Sequence, residues 1–305
     1  QHMATTVAEG LRSRSGLCGY EVFEASIVDV PTLLDKLEKG DVWIHVGRAD
    51  EHTFFRRCKQ SFASRKVYCI LYNSEPRHLE APPGVCEIWD YTHSNQPIAP
   101  VVRYLPPGFV PFFHKRQKND HAFQTSTAGC VESKLELFFL GNVSKSLRPH
   151  CWKHLTELPE LQRFNFKSTD RGIRDAENLE KLAKRPNKIY LNMHPRCNQS
   201  DGRRSYEQER LQTVRFAVLL SFGALVISEP ANSVDMTLYQ DIVIFEKNLF
   251  RAFSTWSPDL QELLGSCTKI REFQLQAYES FKERFHPARL LENAGIFDDS
   301  SAAFR

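Results

Sequence analysis

Three runs decide the fold of this chain: NKIYLNM at Asn187–Met193, RLQTVRFAVLLSF at Arg210–Phe222 and ALVIS at Ala224–Ser228. The first is short, apolar and rich in strand-forming residues, and it stops at His194. A polar segment, PRCNQSDGRRSYEQE at Pro195–Glu209, separates it from the second. In RLQTVRFAVLLSF the apolar residues recur at helical spacing and Gly223 ends the run. ALVIS is continuously apolar, as a strand buried on both faces requires, and leads straight into Glu229-Pro230. Val243–Phe245 reads as one more strand. Open parallel sheets bind ligands beyond the carboxyl ends of their strands. His194, Glu209, Gln212, Arg215, Ser228 and Glu229 are expected to converge there, a set suited to a phosphorylated, hydroxyl-rich ligand.

The same alternation extends outward in both directions. Toward the N-terminus, Glu21–Val30 is strand-like and Pro31 opens a helix that Gly40 stops. Asp41–Gly47 reads as a buried strand, His52–Phe62 as a helix, and Lys66–Tyr72 as a strand. Glu87–Asp90 and Val101–Leu105 are two short strands before Pro106-Pro107-Gly108. Residues 109–133 lack periodicity and read as a linker. The pattern restarts with strand Leu135–Leu140, helix Pro149–Glu157, strand Gln162–Lys167 and helix Asp175–Lys184. Asn248 is placed to cap a short helix, and Ser257–Phe285 reads as helical. The expected architecture is α/β, two Rossmann-like domains with parallel sheets facing across a cleft. Its boundaries are 3–108, a linker at 109–133, 134–256, and a helical tail at 257–305 that packs back on the first domain.

Composition narrows the function. The chain has 305 residues, 41% hydrophobic and 25% charged, with a net charge of +3. That balance gives no support to nucleic-acid binding. No apolar run is long enough to span a bilayer, and no signal peptide is evident. Gln1-His2 ahead of Met3 reads as a tag remnant. The eight cysteines are scattered without a CxxC pair and read as reduced thiols, which together with the missing signal implies a cytoplasmic protein. No GxGxxG, GxxxxGK[ST] or GxSxG occurs, so dinucleotide, P-loop and serine-elbow chemistry lose their main support. His150 and His154 share a helix face but lack a third ligand, and there is no clear DxD; no metal site is expected.

Several short motifs can carry chemistry. Gly141-Asn142-Val143-Ser144-Lys145 follows a strand and precedes a helix, where backbone amides can approach a phosphate. Lys145 and Arg148 would add charge; a plain β–α turn explains Gly141 and Asn142 equally well. His194 can bond a phosphate or a ligand carbonyl, or be a satisfied structural histidine. Arg215 can reach a pyrophosphate or snorkel to the surface. Glu229 can accept ribose or sugar hydroxyls, or cap a turn. In the first half, Glu75 ends strand KVYCILY and suits a general base. Trp89 and Tyr91 offer faces for a sugar, Asp90 and Asn95 offer hydroxyl acceptors, and Asp50 ends another strand. A strand-to-loop transition with one core tryptophan is the alternative.

These motifs resemble the GT-B glycosyltransferases, in particular the single-chain group of bacteria and large DNA viruses related to spore-maturation-type transferases. That family's Asn-x-His strand end matches Asn192 and His194. Its Leu-Glu-Thr-x-Arg helix matches Leu211, Thr213 and Arg215, with Gln212 in place of the carboxylate and Glu209 upstream as a substitute. Gly223, Val226, Ser228 and Glu229 match the following strand, and Leu140-Gly141-Asn142 matches a strand-end Leu-Gly-Asn. In the first half, Tyr72-Asn73-Ser74-Glu75, Trp89-Asp90-Tyr91-Thr92 and Tyr104-Leu105-Pro106-Pro107-Gly108 match the family pattern.

The resemblance implies a Leloir glycosyltransferase, inverting and metal-independent, that requires no cofactor beyond its nucleotide-sugar donor. It implies a UDP-sugar, with UDP-xylose as the particular donor, and a glycan or glycoprotein acceptor. The donor set would be Gly141, Asn142, Lys145, Arg148, His194, Glu209, Thr213, Arg215, Ser228 and Glu229. The acceptor set would be Asp50, Trp89, Tyr91 and Asn95. The base would be Asp90, then Glu75, with His93 or Asp50 behind. A monomer or weak dimer is expected. A catalytically silent nucleotide- or carbohydrate-binding protein, and another nucleotide-sugar enzyme, stay open.

Overall fold

The structure, a computed structural model, describes residues 2–18, 21–22, 30–47, 52–73, 80–82, 84–93, 99–109, 135–141, 143–144, 148–168, 188–194, 206 and 209–297. The predicted linker and the helix at Asp175–Lys184 lie outside them. In chain order the helices are α1 (His2–Cys18), α2 (Val30–Leu34), α3 (His52–Arg65), α4 (Arg148–Glu157), α5 (Thr213–Ser221), α6 (Ser233–Leu238), α7 (Pro258–Leu264), α8 (Cys267–Arg284) and α9 (Pro287–Asn293). The strands are β1 (Val42–Gly47), β2 (Tyr68–Asn73), β3 (Glu87–Asp90), β4 (Val101–Tyr104), β5 (Glu136–Phe139), β6 (Asn165–Ser168), β7 (Lys188–Asn192), β8 (Leu225–Ser228) and β9 (Ile244–Phe245). The chain forms two compact α/β units: residues 1–110 with 284–305, and residues 111–283.

The first unit carries a parallel sheet in the order β1-β2-β3-β4. Phe55 and Phe62 of α3 pack with Val67, Cys69, Leu71, Val85 and Ile88 on one face. β1 is an edge strand and only half-buried, where the sequence predicts a buried one. Most of the strand-like Glu21–Val30 falls outside the described residues; Val30 itself opens α2. That helix stops after Leu34 rather than running to Gly40. Arg65 of α3 there donates to the carbonyls of Leu34 and Leu37, the latter at 3.2 Å.

The unit is closed by elements from both ends of its sequence. α1, which the sequence pattern does not announce, buries Met3, Val7, Ala8 and Leu11 and packs against α9. The approach is close. A β-carbon on Gly10 would lie 2.6 Å from the Leu291 side chain, and one on Gly108 would lie 2.6 Å from the Phe285 carbonyl. Phe109 N–H donates to that Phe285 carbonyl at 2.8 Å, and Gly108 N–H to Thr6 Oγ1 at 3.2 Å. Arg103 of β4 donates to the Ala294 carbonyl (2.9 Å) and to the buried Glu87 carboxylate (2.6 Å). Glu87 also accepts from Trp89 Nε1 at 2.6 Å and from the Tyr68 hydroxyl at 3.2 Å.

The second unit carries a five-stranded parallel sheet in the order β6-β5-β7-β8-β9. The chain leaves β5 for β6 on one side and returns to β7 on the other, so the strand order reverses between β5 and β7. Leu137, Phe139, Ile189, Leu191, Leu225 and Ile227 line one face, packed against Cys151, Leu155, Trp256, Leu260 and Ile270. Phe138 and Tyr190 occupy the other face with ring centroids 5.5 Å apart. Apolar cover on both faces is why these strands read as unbroken apolar runs. At the amino-terminal end, Glu136 of β5 bridges Lys167 of β6 and, at 3.3 Å, the buried Lys188 of β7. Burial alone would raise the Glu136 carboxyl; the two lysines outweigh it and hold it below its ordinary value.

Three expectations are corrected here. Asn248 caps no helix: Ala252 precedes the 3-10 helix Phe253–Thr255, and the Asn248 side chain instead donates to the Thr255 carbonyl at 2.8 Å. Cys151 and Cys267 are disulfide-bonded, not reduced, whereas Cys69 and Cys86 are free thiols. The tail is not one body, because α7 and nearly all of α8 belong to the second unit and α9 to the first. Among the described residues no helix is long and apolar enough to cross a membrane.

Burial first, and then the Glu87 charge, push the Tyr68 phenol up to about 12 from 10.0. A folded-state value above the unfolded one contributes stability that is complete below about pH 10 and lost as pH rises toward about 12. Thermal unfolding across that range will show a decline that Tyr68→Phe reduces; superimposable profiles for the two proteins would refute the assignment.

Candidate functional site

The carboxyl ends of β5, β7 and β8 bring together most of the second-unit residues singled out in the sequence. Gly141 leaves β5 beside the reversal of strand order, the position where open α/β sheets bind ligands. Its hydrogen faces the Phe139 ring; a β-carbon there would lie 2.9 Å from that ring and 3.4 Å from Arg215 Nη2. Two guanidinium groups lie over the same ring. Arg148, at the first position of α4, has its Cζ 5.3 Å from the ring centroid, and Arg215 of α5 has its own at 5.2 Å.

Neither arginine forms an ion pair among the described residues. Arg148 donates to the Met193 carbonyl at 3.3 Å, and its buried Nε has no partner. Arg215 donates to Asn192 Oδ1 at 2.6 Å. Burial, offset in part by the field of Glu229, lowers the Arg148 pKa. Burial and then the neighbouring Arg148 charge push Arg215 down to about 9. Both guanidiniums stay protonated at neutral pH, so the depression reflects mainly the cost of burying charge, to which the like charge of Arg148 adds at Arg215.

The remaining residues are held by backbone groups. Asn192 ends β7 and donates to Ser228 Oγ at 2.9 Å; Ser228 Oγ–H donates to the Glu229 carbonyl at 2.7 Å. The Glu229 carboxylate accepts the His194 N–H at 2.6 Å. The His194 ring faces the Pro230 carbonyl through Nε2 at 2.8 Å. A carbonyl only accepts, so Nε2 carries a proton. Among the described residues Nδ1 of that ring is buried without a partner, as is Thr213 Oγ1 at the start of α5. Glu209 is not on the helix, which begins only at Thr213; its carbonyl accepts from Asn232 N–H at 3.2 Å. It therefore does not stand one helical turn before Gln212 as the sequence pattern suggested. Asn142 and Lys145 lie outside the described residues.

The first-unit candidates divide differently. Asp90 is buried with both oxygens engaged: Oδ2 accepts from Asn73 Nδ2 at 2.8 Å and Oδ1 from Thr92 N–H at 3.1 Å. Trp89 is fully buried, its indole bonded to Glu87, and Tyr91 is 3% exposed. The expectation that Trp89 and Tyr91 present sugar-stacking faces is corrected, because both rings are core. His93 is exposed at the exit of β3, its ring centroid 3.7 Å from that of Tyr104. Asp50, Glu75 and Asn95 lie outside the described residues. Sequence reasoning did not assign a role to Asn192 in the second unit or Asn73 in the first. A neutral amide closing a strand at the sheet's carboxyl end was the available signal.

No protein-family profile matches the chain, and no curated protein is significantly similar to it. Among solved structures, it is similar to the crystal structure of WaaG, a glycosyltransferase involved in lipopolysaccharide biosynthesis. The identity is 12% and the TM-score 0.40, over 85% of this chain and 100% of that one.

Gly141→Ala will force its methyl group into the fully buried Phe139 ring. The expected cost is about 1–3 kcal/mol in urea unfolding. A variant as stable as the wild type would show that the ring has room to move.

Proposed function

We propose that this chain is a GT-B glycosyltransferase that moves a sugar from a nucleotide diphosphate donor to a hydroxyl of a glycan acceptor. The observation that carries the reading is the pair of guanidiniums, Arg148 and Arg215, over Phe139 beside Gly141, with no carboxylate among the described residues paired to either. A diphosphate fits that surplus of positive charge, and Gly141 lets its oxygens approach the backbone. As the bond from the anomeric carbon to the diphosphate breaks, its electron pair goes to the diphosphate. The two fixed cations would stabilise that developing charge, the role a preorganised electrostatic site plays. His194 Nδ1, buried and without a partner among the described residues, would bond a polar group of the donor. Ser228, Thr213 and Glu229 complete the donor side, and a UDP-sugar, UDP-xylose first, is the donor tried first.

For the base that removes the acceptor proton, His93 is the better candidate of those described. It is exposed at a strand's carboxyl end, whereas Asp90 has both oxygens committed to Asn73 and Thr92. Asp90 serves the fold in this reading. A second reading, a catalytically silent nucleotide- or carbohydrate-binding protein, is favoured by the burial of Trp89 and Tyr91, which removes two expected acceptor contacts.

Release of diphosphate from UDP-, GDP- and CMP-sugars, with and without EDTA and with glycan acceptors, tests the function. One donor is expected to be turned over without loss in EDTA. Binding of nucleotide without release under any condition would select the silent protein. His93→Gln is expected to lower transfer while donor binding persists, and wild-type rates would remove His93 from the role. Asp90→Asn turns a buried acceptor into a donor facing a donor, so it should lose about 1–3 kcal/mol of stability, read by urea unfolding.

A further inference from the structure

Arg215 is held by an amide at a place where a carboxylate of the same shape would fit. Its Nη1 donates at 2.6 Å to Asn192 Oδ1. A guanidinium has no acceptor, so the Asn192 atom facing it must be the carbonyl oxygen. The amide nitrogen then faces Ser228 Oγ at 2.9 Å, whose proton is already given to the Glu229 carbonyl at 2.7 Å. Each proton in this chain of three bonds has one acceptor, and the orientation of Asn192 is fixed from both sides. Asn192 and Ser228 are fully buried, and both close the paired strands β7 and β8 in register.

We infer that Asn192 is a positioning residue that aims Arg215 at an anionic ligand while leaving its charge uncompensated. The inference rests on the diphosphate reading of the same site and adds a specificity rule to it. An aspartate at 192 would hold Arg215 in the same place and give a buried cation its counter-ion, with the Ser228 hydroxyl turning from the Glu229 carbonyl to donate to the second carboxylate oxygen. It would also spend on the protein the charge that the ligand needs. Neutrality at position 192 therefore trades stability for anion affinity, as preorganised sites commonly do. Arg148 adds to the same trade, since its like charge acts on Arg215.

The test is calorimetric titration of the full chain with inorganic pyrophosphate and with UDP, alongside thermal melting of the ligand-free proteins. Asn192→Asp is expected to melt at or above the wild-type temperature and to bind both probes roughly ten- to a hundredfold more weakly. A merely structural asparagine would not give weaker binding in a protein of undiminished stability. Asn192→Ala, which releases Arg215 without neutralising it, is expected to lose less affinity than Asn192→Asp. If wild type binds the probes and Asn192→Asp binds them equally well, this inference falls and the diphosphate reading stands. If Asn192→Asp melts well below wild type, the counter-ion argument is overturned. If wild type binds neither probe, the diphosphate reading fails and this inference falls with it.

Discussion

Arg148 and Arg215, two like charges held over one phenyl ring, are the constraint around which the carboxyl end of the second sheet is arranged. Bringing two guanidiniums together without a carboxylate costs free energy that only surrounding structure can offset. Phe139 offers its face to both. The Met193 carbonyl and the Asn192 amide take one N–H each. Glu229, whose carboxylate accepts the His194 N–H, lends Arg148 a field without pairing with it. Every one of these partners sits where a parallel strand stops, so the tolerance for that charge follows from strand order and strand length.

The opposite end of the same sheet resolves its charges in the ordinary way. Glu136 sits between Lys167 and Lys188, one residue from each of three adjacent strands, and the carboxylate is held ionised by them. At one end of the sheet the cations are paired directly to a carboxylate; at the other, among the described residues, they are not. In the first unit, Glu87 plays the bracing part, gathering Tyr68, Trp89 and Arg103. The contrast separates charge that is ion-paired within the fold from charge that is not.

Much of this was legible in the sequence. The runs KIYLN and LVIS announced strands covered on both faces, and the polar residues interrupting them at Asn192, His194, Ser228 and Glu229 announced where the sheet ends. What the sequence left open was partnership. Trp89 and Asp90 have the composition of a sugar site, yet the indole is engaged by Glu87, two residues back on the same strand, and the carboxylate by Asn73, which only the sheet brings near. Glu209 appeared to continue the helix of Arg215, but that helix starts only at Thr213. α1 escaped notice because Gly10, Ser13, Ser15 and Gly16 dilute its periodicity; its burial depends on α9, nearly the whole chain away.

That last pairing governs the order in which the molecule can be completed. A ribosome delivers residues 111–283, the whole second unit, before it delivers the residues that cover Gly10 and Gly108. The second unit has its entire core in hand while the first still lacks α9 and the carbonyl that Phe109 seeks. Domains often form amino-terminal first during synthesis; here the amino-terminal unit is the one that must wait. For that interval α1 and the Pro106-Pro107-Gly108 turn expose apolar surface. The early half of the chain is then the natural client for a chaperone.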